Sequence, residues 1–254
     1  MSDDTRAALH AKVDQLSDPE VVVLDRFVDA VLAPIEHELL PGSWLTTPTW
    51  STEFLSRLRA HHALTPAPLS TTAFEDVFNA SCVAAGWEVV PATSATNRFY
   101  DTVITLPGEA KRTLSLKASA AKAMQEGAIH ISKLTEAAWV QDTRRQADRL
   151  AEIRKLFTEY REHTDAIIIL RCFIQKDGAR RYQLVEIPTT LFAAVDQLTV
   201  AQAQQSTIPI PPLTNPPDFK IRVDRSDSKI TLTGIRLDVC TVHGTWVVPD
   251  LTGI

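Results

Sequence analysis

The stretch FYDTVITLPGEAKRTLSLKAS, residues 99–119, predicts two β-strands joined by a tight turn. Asp101 precedes the turn and Lys117 follows it. A turn centred on Glu109 would place Asp101 directly opposite Lys117, with the two Cβ atoms roughly 5 Å apart. The pattern therefore predicts that a carboxylate and an amine meet across a β-hairpin.

The alternation of side chains along a strand divides this hairpin into two faces. Asp101, Ser115 and Lys117 share one face, on which Val103 would lie opposite Ser115. The other face is mostly apolar and consists of Thr102, Ile104, Leu114 and Leu116. One face of the hairpin is thus expected to be buried and the other to carry chemistry.

An aspartate beside a lysine suits the hydrolysis of phosphodiesters. The carboxylate can hold Mg²⁺, which prefers oxygen ligands, and the lysine can orient a water molecule or stabilise negative charge in the transition state. Upstream, Glu75 lies in a capped helix from which a further acidic group can reach the metal. The alternatives are a cross-strand ion pair on a solvated face, and a capping box in which Thr72 pairs with Glu75.

The rest of the chain predicts an α/β or α+β fold with a mixed sheet flanked by helices. The run 165–175 is predominantly apolar, as in a central strand buried on both faces, and 181–188 returns as its partner. An amphipathic helix is expected over about 135–162, and a further helix over 190–202. We interpret the 254 residues as one domain with a helical N-terminal region (1–68), a core (69–200), and a proline-rich connection followed by a β-rich end (201–254).

Charge is distributed unevenly along this acidic chain, whose formal net charge is −5. Residues 97–161 hold 12 Lys/Arg against 8 Asp/Glu, whereas residues 1–96 hold 5 against 13. A positive zone inside an acidic protein can draw a polyanion to one cleft, although charge also fluctuates along any chain. The three isolated cysteines, the polar N-terminus and the lack of an 18-residue apolar run favour a cytoplasmic protein with no membrane association.

Asp101, a spacer and Ser115-Leu116-Lys117 resemble the PD-(D/E)xK nuclease signature, without its proline and with serine in place of its second acid. A longer resemblance covers roughly residues 70 to 247 and points to the SmaI-type restriction endonucleases. It is carried, in order, by the segments TAFEDVFNASCVAAG, LKASAAKAM, IHISKL, YQLVEIP and VCTVHGTW.

This resemblance implies a restriction-endonuclease-like core and a homodimeric, Mg²⁺-dependent type II endonuclease. It would cut both strands of double-stranded DNA at a short GC-rich palindrome such as CCCGGG, and a cognate DNA methyltransferase would protect the host's copies of the site. Asp101 matches the metal-binding aspartate, Lys117 the catalytic lysine, and Glu75 an acidic position in the first core helix. Because Ser115 departs from the signature, Glu75 is the first candidate for the second metal ligand, with Glu109 and Glu186 behind it.

Several further residues are candidates for contacting DNA. In 129–133, polar side chains alternate with isoleucines, and the charged turn near residue 180 adds arginines that can grip phosphates or read guanine. Lys122 can contact a phosphate or act as a second active-site base. The candidates are Lys122, His130, Ser132, Lys133, Arg180 and Arg181. Solvated surfaces are the alternative interpretation, and a non-catalytic DNA-binding module or a repair nuclease on the same scaffold is the alternative function.

Overall fold

The computed structural model describes residues 3–92, 99–120, 124–142, 146–224 and 227–250. Its α-helices are α1 (Asp3–Val13), α2 (Asp18–Leu32), α3 (Pro48–Leu64), α4 (Thr71–Ala84), α5 (Trp139–Asp142), α6 (Gln146–His163) and α7 (Val200–Ala203). Two 3₁₀ helices cover Thr189–Gln197 and Leu237–Val239. None of the helices in the described ranges is both long and apolar enough to cross a membrane.

The strands form two sheets. They are β1 (Glu36–Leu39), β2 (Glu88–Pro91), β3 (Thr102–Thr105), β4 (Lys111–Ser119), β5 (Ala128–Glu136), β6 (Ala166–Ile174), β7 (Arg180–Pro188), β8 (Thr207–Ile210), β9 (Phe219–Asp224), β10 (Lys229–Arg236) and β11 (Thr241–Val248). Within the described residues, the main sheet has seven strands in the order β1-β11-β7-β6-β4-β3-β2, and the second has four in the order β5-β10-β9-β8. The expected mixed α/β fold with a strand-rich C-terminal region is confirmed.

The apolar run of β6 lies at the centre of the main sheet, as the sequence predicts. It pairs in parallel with β4 and antiparallel with β7. A parallel pair needs a long crossover, which here passes through β5, α5 and α6. Strand β6 buries side chains on both faces: Ile168 and Leu170 pack with α3 and α4, whereas Ile167 and Ile169 pack with α6 and the second sheet.

The hairpin β3–β4 forms as predicted, but its register is shifted. Thr102 pairs with Leu114 and Thr105 with Lys111, so the turn is centred on Gly108 instead of Glu109. Gly108 has a φ of +77°, a conformation that glycine adopts at little cost and that centres the turn on it. Because the register moves by an even number of residues, every side chain keeps its predicted face. Thr102, Ile104, Leu114 and Leu116 are accordingly buried.

Two predicted helices are wrong in part. The helix expected over 135–162 begins only with α5 and α6, because residues up to Glu136 belong to β5, whose pairing with β10 outweighs local helix propensity. Its predicted apolar face is nevertheless buried, with Ile153 and Phe157 fully enclosed. The helix expected after residue 189 is a 3₁₀ helix followed by the short α7.

Candidate active site

Strand β4 is longer than its neighbour β3, and this leaves one edge of β4 without a strand beside it. Pairing with β3 ends at Leu114, whereas β4 continues to Ser119. Unpaired backbone N–H groups at a sheet edge need other partners. The Asp101 carboxylate accepts a hydrogen bond from the Leu116 N–H at 2.6 Å, and the Thr71 hydroxyl lies 3.4 Å from the Ala118 N–H. The edge of β4 is thus covered by side chains, and one of them is a predicted site residue.

Asp101 and Lys117 meet, but not as the directly opposed pair that the sequence predicts. Asp101 precedes the Thr102–Leu114 pair and so lies across from Ser115, and the Lys117 side chain reaches its carboxylate from two residues further along. Lys117 Nζ donates a hydrogen bond to Asp101 Oδ2 at 3.1 Å and a second one to the Leu116 carbonyl at 3.0 Å. The two side chains are 22% and 29% exposed, so the pair is open to solvent and to a ligand. An ammonium group has three N–H donors, and the third has no partner among the described residues. It is available to a water molecule or a phosphate oxygen.

The two oxygens of the Asp101 carboxylate have different surroundings. Oδ2 accepts three hydrogen bonds, from Ser115 Oγ, the Leu116 N–H and Lys117 Nζ. Oδ1 accepts none from the residues that the structure describes. Three donors on one oxygen hold the carboxylate in a single orientation, and the other oxygen remains free to bind a cation.

Ser115 supports Asp101 and faces the interior. Its side chain is 2% exposed, and its hydroxyl donates to Asp101 Oδ2 at 3.1 Å. Behind it lies Tyr160 of α6, which is 1% exposed. Burial raises the pKa of the tyrosine, while the Ser115 hydroxyl beside it lowers that pKa in part. An acid at position 115 would be buried in this apolar environment at considerable cost, which gives a physical reason for a serine here.

Glu75 lies beside this pair and is not engaged in helix capping. The N-cap of α4 is Ser70, whose hydroxyl accepts from the Ala73 N–H, so the alternative capping box of Thr72 with Glu75 does not form. Thr71, which contacts the edge of β4, is four residues earlier, and a spacing of four puts both side chains on one helix face. Burial and then the negative charge of Asp101 raise the pKa of Glu75, whereas the charge of Lys117 lowers it.

This arrangement fits a hard divalent cation. Two carboxylates repel each other, and Glu75 makes no hydrogen bond to any described residue. Such repulsion is relieved by a bound cation that prefers oxygen ligands. In the described ranges, no group of three or more His, Cys, Asp or Glu side chains gathers around one point. The protein would therefore supply two carboxylates here and leave other positions of the cation to water and phosphate.

The two reserve candidates for the second ligand lie elsewhere. Glu109 is at the tip of the hairpin, at the opposite end of β3 from Asp101, and pairs with Arg112 at 3.0 Å. Glu186 is on β7, where it accepts hydrogen bonds from His243 Nε2 at 2.7 Å and Trp44 Nε1 at 2.9 Å. Burial raises the pKa of Glu186, but its hydrogen bonds to His243 and Trp44 outweigh this and lower the pKa overall.

Sequence reasoning missed the polar cluster around Glu186. The Ser43 hydroxyl lies 2.8 Å from His243 Nδ1 and also accepts from the N–H groups of Leu45 and Thr46. The chain Ser43–His243–Glu186 joins the loop before α3 to strands β11 and β7. His243 is 1% exposed, in accordance with its interpretation as a structural residue. The two segments YQLVEIP and VCTVHGTW thus meet in a buried hydrogen-bonded contact that no sequence spacing reveals.

Replacing Glu186 with alanine is expected to destabilise the fold without removing cleavage. The change leaves the buried His243 and the Trp44 N–H without their acceptor, and each orphaned polar group costs about 1–3 kcal/mol. We expect the free energy of unfolding to fall by about 3 kcal/mol, measured by urea denaturation. Glu186→Gln, which keeps one acceptor, serves as the milder control. If the Glu186→Ala protein is folded but no longer cleaves DNA at low temperature, Glu186 would again be a candidate metal ligand.

The candidate DNA contacts fall into different environments. His130, Ser132 and Lys133 are exposed on β5 while Ile129 and Ile131 are buried, so the predicted alternation is confirmed. Lys133 also pairs with the exposed Glu136 at 2.8 Å. Lys122 lies outside the described residues.

The two arginines at the start of β7 are engaged inside the protein. Arg180 is 8% exposed and donates to the Pro66 and Gly178 carbonyls, so its guanidinium is engaged in holding the turn in place. Arg181 lies over the Phe173 ring, with its guanidinium carbon 4.4 Å from the ring centroid, and pairs with Glu126. The Arg181 side chain remains 23% exposed.

Comparison with known proteins identifies the family to which this site belongs. Residues 40–248 match the SmaI family, which is described as type II site-specific deoxyribonuclease. The chain belongs to the SmaI family of type II site-specific deoxyribonucleases. It is 28% identical to the type II restriction enzyme SmaI of Serratia marcescens over 204 residues, which is 76% of this chain and 77% of that enzyme. No solved structure matches the chain. The resemblance seen in the sequence is confirmed, and this SmaI-family protein is a hydrolase, a site-specific endonuclease whose partner is DNA.

Proposed function

We propose that this endonuclease uses Mg²⁺ to cut both strands of double-stranded DNA at a short GC-rich palindrome similar to CCCGGG. The observation that carries the proposal is the contact of Lys117 Nζ with Asp101 Oδ2 at the edge of β4 that no neighbouring strand covers, with Glu75 alongside. Type II restriction enzymes generally use divalent metal ions, and the choice of Mg²⁺ rests on the all-oxygen donor set.

Each side chain of the site has a distinct role in the proposed hydrolysis. Asp101 and Glu75 are the residues that would hold the cation. When bound, Mg²⁺ supplies Lewis-acid stabilisation of the negative charge on the scissile phosphate. Lys117 directs its third N–H toward the attacking water or a phosphate oxygen, where a preorganised donor stabilises the charge that develops in the transition state. Ser115 and the Leu116 N–H orient Asp101 and contact no substrate.

A palindrome is read most directly by a protein with matching two-fold symmetry. We therefore propose a homodimer in which each protomer cuts one strand. His130, Ser132, Lys133 and Arg181 are the proposed DNA contacts within the described residues, and Lys122 adds a further one. A cognate DNA methyltransferase, acting separately, would protect the same sequence in the host, and the enzyme would work in the cytoplasm, where incoming DNA is met. Residues 1–254 would act as a single domain.

Digestion of plasmid DNA tests this function. Purified protein is incubated with MgCl₂ and with plasmids that carry or lack CCCGGG. Discrete fragments from the first plasmid and none from the second are expected. Discrete fragments from both plasmids would support site-specific cleavage but show that the recognition sequence is not CCCGGG. A protein that shifts DNA on a gel without nicking it would instead be a non-catalytic binding module, and preferred cleavage of mismatched DNA would indicate a repair nuclease.

Replacing Glu75 with glutamine is expected to weaken the metal site and leave the fold intact. The amide has nearly the same shape but lacks the negative charge that attracts a cation. We expect the Mg²⁺ concentration for half-maximal cleavage to rise by about tenfold or more, and titration calorimetry of Mg²⁺ with the protein–DNA complex to show the same loss. Asp76→Asn removes a charge from the exposed neighbouring position of α4 and should leave both values unchanged. Equal effects of the two substitutions would exclude Glu75 as a ligand.

A further inference from the structure

A cavity of about 280 Å³ lies between the two sheets, next to the proposed catalytic lysine. One wall is formed by Ser119 of β4 and Ile169 and Arg171 of β6. In the parallel pair, Lys117 lies beside Ile169 and Ser119 beside Arg171. Ser119 shares the strand face of Lys117, two residues and therefore roughly 6.6 Å further along. The wall of the cavity thus begins two residues along β4 from the backbone of Lys117.

The wall of the cavity is held rigidly by Arg171. This side chain is 1% exposed and lies over the Phe173 ring. Its guanidinium donates to the carbonyls of Gln125, Glu126 and Ala128, and to the side chain of Gln183 at 2.7 Å. Three carbonyls of one turn converge on a single buried cation, so the segment before β5 has a defined position. Arg171 therefore shapes the cavity and has four of its five N–H donors engaged.

The opposite wall carries His130, which is presented by an irregularity of the second sheet. Ile131 pairs with Leu232 and Ile129 with Ile235, so two residues of β10 oppose the single residue His130. This is a β-bulge, and its second residue, Gly234, has a φ of +59°. Bulges bend a strand and re-aim the side chains next to it, and they are common beside active sites. His130 lines the cavity, is exposed, and makes no hydrogen bond to any described residue.

We propose that this cavity is the subsite for the nucleotide beside the scissile phosphate, and that His130 reads its base by donating a hydrogen bond to guanine N7 or O6. This proposal rests on the proposed function. Ile129 and Ile169 give the lining an apolar part that suits the face or sugar of a nucleotide, whereas Ser119, Gln125 and His130 contribute polar residues. Guanine presents two acceptors in the major groove, and an unpartnered imidazole N–H complements them. The adjacent Lys133 pairs with Glu136 and lies outside the cavity lining.

The experiment combines a protein substitution with single-atom changes in DNA. Duplexes are prepared in which each guanine of the cleaved sequence is replaced, one at a time, by 7-deazaguanine, or its base pair is replaced by another. With the wild-type protein, we expect one position next to the cut to lose about tenfold to hundredfold in cleavage, and in binding measured with Ca²⁺. With His130→Ala, that penalty should vanish at this position alone, while the penalties at the other positions persist.

Two controls separate a base contact from a general defect. His10→Ala removes an exposed histidine of α1 and should leave the whole profile unchanged. Gly234→Ala disturbs the bulge through its positive φ, and its added Cβ meets no atom within 4 Å. It should therefore reproduce part of the His130→Ala profile while the protein still melts cooperatively.

The outcomes also separate this inference from the proposed function. A uniform loss with His130→Ala on every duplex, or an unchanged penalty at every guanine, would overturn the base contact. A wild-type protein that cleaves no DNA would instead overturn the proposed function itself.

Discussion

Replacing Lys117 with alanine is expected to lower the cleavage rate by about 10²- to 10³-fold and to leave specific DNA binding largely in place. The magnitude is that of losing one preorganised donor to the transition state. Lys117 is partly exposed, and its ammonium makes two hydrogen bonds to the described residues, with Asp101 and the Leu116 carbonyl. We therefore expect its removal to change the free energy of unfolding little. Single-turnover cleavage of a labelled duplex measures the rate, and gel shifts with Ca²⁺ measure binding.

The control for this substitution is a lysine on the surface of the same protein. Lys155 on α6 is 67% exposed and lies 3.9 Å from Glu159, so Lys155→Ala removes the same charge without touching the site. Its cleavage rate should equal that of the wild type. A Lys117→Ala protein with near-normal turnover would remove this lysine from the mechanism, and an equal loss of binding and of rate would make Lys117 a DNA anchor.

Replacing Asp101 with asparagine is expected to abolish metal-dependent cleavage, with a loss of at least about 100-fold. The asparagine carbonyl can still accept from the Leu116 N–H and Ser115, so the strand edge remains covered. The amide cannot offer a charged oxygen to a cation, and it leaves the Lys117 ammonium without its counter-charge. Cleavage is measured across a range of MgCl₂ concentrations, and the rise in melting temperature on adding Mg²⁺ to the protein–DNA complex provides a readout that does not depend on activity.

The matched control removes a carboxylate far from the hairpin. Asp196 is 49% exposed and pairs with Arg161 at 2.9 Å, an ion pair of the surface type that contributes about 1 kcal/mol or less. Asp196→Asn should retain both cleavage and the Mg²⁺-dependent shift. If Asp101→Asn kept the shift and lost only the rate, Asp101 would orient Lys117 and another group would hold the metal.

The serine at position 115 shows how the structure accommodates a departure from the nuclease signature. A strand acid at this position would face Tyr160 and the core beneath α6, where a charge is costly. The chain places Glu75 at the same corner from a helix on the other side of the sheet edge, beside Thr71. The second carboxylate therefore comes from α4, and the strand position is left to a hydroxyl that steadies Asp101.

Much of this arrangement follows from local sequence patterns. The apolar run of β6 predicts a central strand because side chains that are apolar on both faces of a strand need cover on both faces, and the first seven residues of β6 are buried. The two-residue alternation in the hairpin assigns Asp101, Ser115 and Lys117 to one face, and this assignment survives the shift in register because both registers differ by an even number of residues. The helical spacing of Ile153 and Phe157 likewise identifies the buried face of α6.

Other features depend on contacts between distant segments, which no local pattern contains. Strand β5 continues to Glu136, into the start of the segment expected to be helical, because β10, about a hundred positions later, pairs with it. Arg180 looks like a phosphate contact in the sequence, but the Pro66 carbonyl, 114 positions away, receives its N–H. The contact of Glu186 with His243 and the bulge at Gly234 likewise depend on segments that are far apart in the sequence. Periodicity encodes which face of an element is apolar, whereas the partner that covers that face is chosen by the packing of the whole chain.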